Sequence, residues 1–303
     1  MKKLYQLKPI IFLLLQFAFL SSFAQKEIDF RIKLEVGDRF EVESTSLSQG
    51  KVSIGNNVQD NKVEIASTIQ YHVEKKITDS YYLNYMYTEY YMSMKLGMKD
   101  IVTNPKTADM LNLFTPSTQV AMMMNKPFSA ELSSKGKILS VKGNKDIEKE
   151  FKKKTKKLSP ELREQVYTMV NAIAGNEELV NRIESWAMYI PPSAVKIGDT
   201  WGVELDSAIA HYAFTTETDS TYIVEGIGSS KKTTSMEIQG MTMITNTEEE
   251  FTITIEFDKH TFLPKVITKE AEMSIQGKVQ GYPAFSQPPV QSTAITTLKI
   301  KKL

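Results

Sequence analysis

The stretch VGDRFEVE at residues 36–43 returns later in the chain as IGDTWGVE at residues 197–204. In each copy, glycine permits a positive φ and aspartate accepts hydrogen bonds from nearby backbone amides, so the Gly-Asp pair predicts a tight turn. The alternation of apolar and polar residues after the pair predicts a β-strand that leaves this turn. Turn chemistry accounts for Asp38 and Asp199 without a catalytic or ligand-binding role.

Two further echoes extend this repeat. TDSYYL at residues 78–83 matches TDSTYI at 218–223, and residues 128–141 match 251–266. All three matches come in the same order, which predicts a duplicated β module. A polar, glycine-containing stretch at 48–60 occurs in the first copy only and predicts a polar hairpin or mobile loop.

A helical region separates the two copies. Ser159 is a capping residue before Pro160 and Glu161, and apolar residues then recur at helical spacing until Gly175. A second short helix fits residues 177–186. The predicted fold class is therefore α+β and mainly β: two similar antiparallel β-rich halves, in a curved sheet, half-barrel or barrel-like arrangement, joined by a short helical connector. The predicted organisation is a signal peptide at 1–24, repeats at 25–143 and 191–303, and a connector at 144–190.

The N-terminus has the pattern of a cleavable secretory signal. Basic residues precede an apolar run at 10–20, and Ser22-Phe23-Ala24 places small residues before a cut at Gln25. The run is about half of the roughly 20 residues that a transmembrane helix needs. The chain has no cysteine, which excludes disulfides and N-terminal lipidation of a bacterial lipoprotein. We expect an exported protein without a membrane anchor, in the periplasm first and at the cell surface or outside the cell second.

The charge balance gives no reason to expect a nucleic-acid partner. The chain has 37 basic and 36 acidic residues, and the predicted signal removes three lysines and no acids. The mature protein is thus nearly neutral. The basic run at 149–157 predicts a solvated, charge-rich helix, with a patch for an anionic surface as the alternative.

No residue pattern indicates an enzyme or a cofactor site. His72, His211 and His260 lie outside metal-ligand spacing of one another, and no zinc-protease, hydrolase-elbow, phosphate-loop or dinucleotide motif occurs. Thiol catalysis needs a cysteine, so it is excluded. Paired carboxylates across strands remain open. The densest acidic run, residues 248–250, is interpreted as a solvated lead into a strand.

Aromatic and methionine residues are the candidates for binding. Strict alternation through residues 81–94 gives a strand with two partly apolar faces, which predicts cover on both faces or a cavity on one of them. The alternation places Tyr81, Leu83, Tyr85, Tyr87 and Tyr91 on one face, and Tyr82, Met86, Tyr90, Met92 and Met94 on the other. The candidate ligand-binding residues are Tyr81, Tyr85, Tyr87, Tyr91, Met92 and Met94, with a simple core strand as the alternative.

Methionine pairs at 92–94 and 241–243 and a triplet at 122–124 suggest two further interpretations. Thioethers bind Cu(I), but no histidine accompanies these methionines, so packing is the favoured interpretation. The leading functional hypothesis is a non-enzymatic binding protein whose sheet curves around an apolar or lipid-like ligand. The alternatives are a structural or protein-interaction component of the cell envelope, and carbohydrate binding through exposed tyrosines.

The G-D-x-[FW] turns, the segment IPPSAVKIGDTW at residues 190–201 and the signal end at Ala24-Gln25 together resemble a known sequence pattern. The chain is similar to an uncharacterised family of secreted Bacteroidota proteins, a domain of unknown function. The resemblance covers most of the mature chain. It implies an exported, β-rich protein, and it implies no activity and no catalytic residues.

Overall fold

The computed structural model describes residues 26–54, 57–96, 99–108, 115–187, 189–205, 208–238, 241–279 and 290–303. The predicted signal peptide lies outside these residues. So do the tip of the predicted polar hairpin at 55–56 and the side chains of Met241 and Met243.

Long antiparallel strands dominate the described residues. They follow the predicted alternation, and the ladder registers are continuous apart from a few bulges. Within this polar stretch, residues 51–54 of β1 pair with residues 57–60 of β2. The strands are β1 (Arg39–Ile54), β2 (Asn57–Ile77), β3 (Ser80–Leu96), β4 (Lys99–Thr103), β5 (Phe128–Ser133), β6 (Ile138–Lys142), β7 (Thr200–Leu205), β8 (Ala208–Glu217), β9 (Thr221–Ile238), β10 (Met241–Asp258), β11 (Pro264–Val279) and β12 (Val290–Lys302).

All twelve strands belong to one open sheet. Its order is β6-β5-β3-β2-β1-β12-β11-β10-β9-β8-β7, and β4 pairs with β3 beside this path. β1 and β12 are hydrogen-bonded neighbours, so each half of the sequence is a meander and the two meanders share a central seam. The prediction of a mainly β, antiparallel fold with few short helices is confirmed, and the sheet is not closed.

Four helices occur in the described residues, and three of them lie in the predicted connector. Ser159 caps its helix as predicted: its Oγ accepts from the Leu162 amide at 3.4 Å and its carbonyl accepts from the Arg163 amide at 3.0 Å. The basic run lies on a helix that buries Ile147 and Phe151 and exposes most of its lysines. The helices are α1 (Pro116–Ala121), α2 (Asn144–Thr155), α3 (Pro160–Ala174) and α4 (Asn176–Ala187), with a 3-10 turn at Pro105–Thr107.

The two Gly-Asp turns adopt the same geometry. Gly37 and Gly198 both have φ of 94°, the region that glycine enters without steric cost. In the first turn, the Gly37 amide donates to the Val73 carbonyl at 2.9 Å and Asp38 Oδ2 accepts from the Glu35 amide at 2.9 Å. The matching bonds of the second turn are Gly198 N to Phe214 O at 2.8 Å and Lys196 N to Asp199 Oδ2 at 3.0 Å. The predicted turn role of both aspartates is confirmed.

The segment at residues 26–36 is an integral part of the core, which the sequence analysis did not anticipate. Ile28, Phe30, Ile32 and Leu34 are all buried while the residues between them are exposed. The Ile32 amide donates to the carbonyl of Ser134, in the turn after β5, at 2.8 Å. The next amide, that of Lys33, donates at 2.7 Å to Thr261 in the turn after β10. One extended segment therefore ties the corresponding turns of the two halves together.

Aromatic rings fill the core of each half. In the first half Phe40, Tyr71, Tyr85 and Phe128 stack in series with ring centroids 4.9–5.4 Å apart, and Trp186 of α4 packs edge-on against this stack. In the second half Phe30 contacts four rings at once. These rings belong to Phe214, Tyr222, Phe257 and Phe262.

Candidate functional site

The face of the sheet that carries the core is called the inner face, and the opposite one the outer face. Residues 290, 292, 294, 296, 298 and 300 of β12 lie on the inner face, and all are buried or half-buried. Their neighbours on the outer face are exposed at four of the five intervening positions. The contrast persists beyond the last fully buried residue, so the inner face is sheltered along the whole strand.

A bulge in β3 decides which aromatic residues reach the inner face. Ile69 pairs with Tyr87 and Thr68 pairs with Glu89, which leaves Thr88 as the additional residue. Beyond the bulge the alternation is reversed, so Tyr90, Met92 and Met94 share the inner face with Tyr85 and Tyr87. The predicted grouping of Tyr91 with Tyr81 and Tyr85 is wrong, because strict alternation does not survive an inserted residue.

The six candidate residues thus fall into three environments. Tyr81, Tyr85 and Tyr87 are buried in the core, where the Tyr81 hydroxyl donates to the Ile32 carbonyl at 2.7 Å. Tyr91 is 38% exposed on the outer face. Only the two methionines lie half-buried on the inner face beyond the core. The structure therefore brings Met92 and Met94 together and separates them from the four tyrosines.

A row of hydroxyl and charged side chains crosses the inner face where full burial ends, and we call it the polar band. It spans β1, β2, β9, β10, β11 and β12, and all its members are half-buried. Two of its hydroxyls, Ser46 Oγ and Thr296 Oγ1, lie 3.0 Å apart. The polar band consists of Ser44, Ser46, Ser67, Ser230, Glu249, Lys269 and Thr296.

An ion pair stands in the second half of the polar band. Lys269 Nζ lies 2.7 Å from Glu249 Oε1 and 4.2 Å from the centroid of the Phe251 ring. The Ser230 hydroxyl donates to Glu249 Oε2 at 3.1 Å. The two charged side chains are only 28% and 18% exposed, so both are substantially desolvated and depend on these partners.

This ion pair borders a cavity of about 230 Å³. The cavity has apolar walls with a few polar groups, the usual composition of a small-molecule site. Burial raises the pKa of the Tyr189 hydroxyl, and Tyr212 and Glu249 raise it further, so Tyr189 stays protonated. Burial likewise raises the pKa of Tyr212 to about 12. The cavity is lined by Tyr189, Val203, Ala208, Ala210, Tyr212, Ser230, Glu249, Phe251, Ile253 and Lys269.

A second cavity of about 260 Å³ lies in the first half of the sheet. Arg182 of α4 lines it, together with the hydroxyls of Ser44, Ser67, Ser185 and Tyr90. The guanidinium also contacts Tyr87: it donates to the hydroxyl, and its carbon lies 4.9 Å from the ring centroid. The apolar part of the lining consists of Val42, Ile65, Ile69 and Leu298.

From the polar band outward, apolar side chains recur on the inner face among small polar ones such as Ser48 and Ser292, and we call these apolar side chains the apolar rim. Its side chains are half-buried and come from strands of both halves. Thioethers and aliphatic groups make a surface that adapts its shape. The apolar rim consists of Val63, Ile65, Met92, Met94, Met273, Ile275 and Val290.

Sequence reasoning missed the charged members of the polar band. Residues 248–250 were interpreted as a solvated acidic run, and Glu248 and Glu250 are indeed exposed. The strand alternation turns only Glu249 inward, and Lys269 lies close to it through the pairing of β10 with β11. Period-two alternation within β10 was the available signal for Glu249, while its lysine partner required the register.

The structure also bears on the alternative interpretation of metal binding. Among the described residues no group of three or more histidine, aspartate or glutamate side chains could hold a metal ion. Met122 and Met123 are buried in the core, as the packing interpretation predicts. Within the described part of the chain, no helix has the length and apolar character needed to cross a membrane.

Comparison with solved structures gives overlaps with TM-scores under 0.5, which establish no shared fold. A structure titled "Lipid-protein interactions in lipovitellin" has TM-score 0.47 and 11% identity, covering 89% of this chain and 25% of that one, so this chain spans about a quarter of it. DynF from the dynemicin pathway of Micromonospora chersina has TM-score 0.23 and 3% identity, covering 91% of this chain and 85% of DynF. The COG4313 outer membrane channel from Pseudomonas putida F1 has TM-score 0.20 and 6% identity, covering 89% of this chain and 98% of the channel.

At the level of sequence, no curated protein matches the chain. Residues 78–264 match the model described as "Family of unknown function (DUF6263)". The match extends from the turn before β3 to the start of β11 and includes Arg182 of one cavity and Glu249 of the other, but not Lys269. Because it spans more than half of the chain, this protein belongs to the DUF6263 family of unknown function.

Proposed function

We propose that this protein is a non-enzymatic, exported binding protein for an apolar, lipid-like ligand that lies on the inner face of the sheet. The observation that carries the proposal is the apolar rim: half-buried aliphatic and thioether side chains continue on the sheltered face after the packed core has ended. Apolar surface gains roughly 25 cal/mol for each Å² removed from water. A hydrocarbon chain along the rim would supply that burial.

The chemistry of the rim fits a chain-like ligand better than a rigid one. Met92, Met94 and Met273 have flexible, unbranched side chains that fill irregular space. The hydroxyls of the polar band lie next to them and offer hydrogen bonds to a polar end group. Apolar walls with a few fixed polar groups are the general form of a small-molecule site.

We further propose that residues 1–24 direct export and are removed, with the periplasm as the first compartment and the cell surface or exterior as the second. The matching turns at Gly37 and Gly198 and the common strand order support an origin by duplication, with repeats at 25–143 and 191–303 around the connector. The G-D-x-[FW] turns and the segment at residues 190–201 support the proposal that the family consists of secreted Bacteroidota proteins.

A second candidate function is protein interaction in the cell envelope. Ile209, Ile227 and Ile295 are at least half exposed and line a depression of about 810 Å³ on the outer face, together with Glu250, Glu270 and Glu272. Exposed apolar side chains grouped in this way are typical of interaction surfaces. Carbohydrate binding has weaker support, because Tyr91 alone of the four candidate tyrosines is exposed.

The test is to purify the protein natively, extract it with organic solvent and analyse the extract by mass spectrometry. A stoichiometric lipid is the expected result. Met94→Lys, which places a charge on the apolar rim, should reduce the bound lipid about tenfold or more, since an unpaired charge in an apolar site costs several kcal/mol.

Met86→Lys is the matched control, because Met86 lies on the outer face of the same strand and is already 38% exposed. It should retain the lipid of the unmodified protein. An empty extract from the unmodified protein, or equal losses in the two variants, would leave the protein-interaction function as the better account.

A further inference from the structure

The ion pair of the polar band is poorly suited to contact with hydrocarbon. Glu249 and Lys269 lie at the end of the packed core, on the face where the proposed ligand would bind, and Glu249 is paired with Met273 of the apolar rim. An apolar chain across them would remove their remaining water and give no hydrogen bond in return. Covering a charged group in this way is costly. A ligand that follows the rim toward the core therefore needs a polar end at this position.

We propose that Lys269 and Glu249 bind the head group of a zwitterionic amphiphile, one that carries an anionic phosphate and a primary ammonium group. This inference rests on the proposed function, because it assigns the end of the ligand whose chains lie on the apolar rim. The phosphate pairs with the Lys269 ammonium and the ligand's ammonium pairs with the Glu249 carboxylate. The single ion pair between Lys269 and Glu249 is thus replaced by two ion pairs between the protein and the ligand.

The charge arrangement discriminates between head groups. An anionic head beside Lys269 would place a second negative charge next to Glu249, so that two anions would share one cation. A cationic head beside Glu249 would place a second positive charge next to Lys269 in the same way. Breaking a buried pair by removing one partner is strongly unfavourable, whereas a zwitterion keeps both charges compensated.

The surroundings of the pair add hydrogen-bonding groups and space. Ser230 already donates to Glu249, and Tyr189, whose hydroxyl stays protonated, lines the same cavity. The cavity of about 230 Å³ has room for several water molecules. That volume accommodates a compact phosphate-ammonium head while Phe251 and Val203 contact the first carbons behind it.

The inference is tested by calorimetric titration of the natively purified, delipidated chain with three short-chain probes that share the same acyl groups. The probes are dihexanoyl phosphatidylethanolamine, dihexanoyl phosphatidate and dihexanoylglycerol. We expect the ethanolamine lipid to bind at least about tenfold more tightly than the other two, the factor that corresponds to one charge-assisted hydrogen bond.

Variants of Glu249 and Lys269 show whether these two residues cause the preference for the ethanolamine lipid. Glu249→Gln and Lys269→Met should each reduce it to less than about threefold, while Lys269→Arg, which retains the cation, should preserve most of it. The matched controls are Glu248→Gln and Lys231→Met, which break an ion pair of 2.9 Å on the outer face at the neighbouring register position. These controls should bind all three probes as the unmodified protein does.

Each outcome has one meaning. Equal affinity for the three probes overturns the head-group inference and leaves the apolar binding function intact. Tightest binding of phosphatidate also overturns it and points to an anionic head. Binding of none of the probes contradicts the proposed function itself. The comparison of probes needs only the unmodified protein, so it stands even if a charge variant does not fold.

Discussion

The inner face of this sheet has two apolar regions that differ in how fully their side chains are buried. In the buried region the protein covers its own sheet: Phe30 from the N-terminal segment and Trp186 from α4 are 0% and 1% exposed. On the apolar rim, side chains of similar hydrophobicity such as Met94 and Ile275 remain half-buried. The polar band lies where the two regions meet, and its Ser46 and Glu249 are paired with Ile65 and Met273 of the rim.

The difference teaches that hydrophobicity alone does not distinguish a core from a binding surface. The buried region is covered by segments of the same chain, one on each half, and it contains buried polar contacts such as the one between Trp186 Nε1 and the Tyr71 hydroxyl at 3.3 Å. The apolar rim begins beside a line of hydroxyl groups and an ion pair. We propose that this half-buried apolar surface contacts another molecule.

The largest expected effect tests the buried region. Phe30→Ala should lower the free energy of unfolding by about 3–5 kcal/mol, the usual cost of removing a fully buried phenylalanine. Phe30 contacts four aromatic rings, and these rigid rings would fill little of the cavity that the substitution leaves. Urea denaturation measures the change. Arg31→Ala, at the exposed neighbouring position, should cost less than about 1 kcal/mol.

An intermediate effect is expected at the polar band. Without ligand, Glu249→Gln should lower the free energy of unfolding by about 1–2 kcal/mol, because Lys269 loses a charge-assisted partner in a site that is only partly exposed. Glu248→Gln on the outer face should change it by less than about 0.5 kcal/mol. Equal losses in the two variants would show that the inner position is no more sheltered than the outer one.

A smaller, pH-dependent effect is expected at the edge of the buried region. Burial raises the pKa of Asp38, but hydrogen bonds from Lys302 at 2.7 Å and the Glu35 amide outweigh it, so the folded-state pKa lies below the ordinary 3.8. A depressed carboxyl pKa stabilises the fold above pH 3.8, and this contribution is lost as the pH falls through the folded-state value.

Asp38→Asn should therefore reduce stability at neutral pH and make the loss between pH 5 and about pH 3 shallower than in the unmodified protein. Thermal unfolding across this range measures both. An unchanged acid profile would mean that the Lys302 contact does not persist in solution.

The smallest effect on stability is expected at the apolar rim. Met94→Ala should cost less than about 1 kcal/mol, because a half-buried side chain leaves no enclosed cavity when it is shortened. Urea denaturation checks this value against that of Phe30→Ala. A loss as large as that of the core variant would mean that the rim is part of the core and would remove the basis of the binding proposal.

Much of this architecture is predictable from the sequence. Matching Gly-Asp turns, apolar alternation and the capped helix at Ser159 follow from local chemistry, and the structure confirms each of them. The tyrosine faces beyond Thr88 were not predictable, since a bulge reverses the alternation without a marker in the sequence. The buried segment at 26–36 was also missed, because its alternation lies directly after the apolar signal. The inward Lys269–Glu249 pair depends on register between strands, which composition does not report.

The central claim is that a lipid-like ligand binds on the inner face, and the cysteine-free chain allows a direct measurement of it. Met94→Cys and Met86→Cys each provide a single labelling site on opposite faces of β3, and a polarity-sensitive fluorophore can be attached to either one. Titration with dihexanoyl phosphatidylethanolamine should shift the emission of the Met94→Cys label to shorter wavelength in a saturable manner and leave the Met86→Cys label unchanged. Equal responses from the two labels, or no response from Met94→Cys while the lipid binds, would contradict the account.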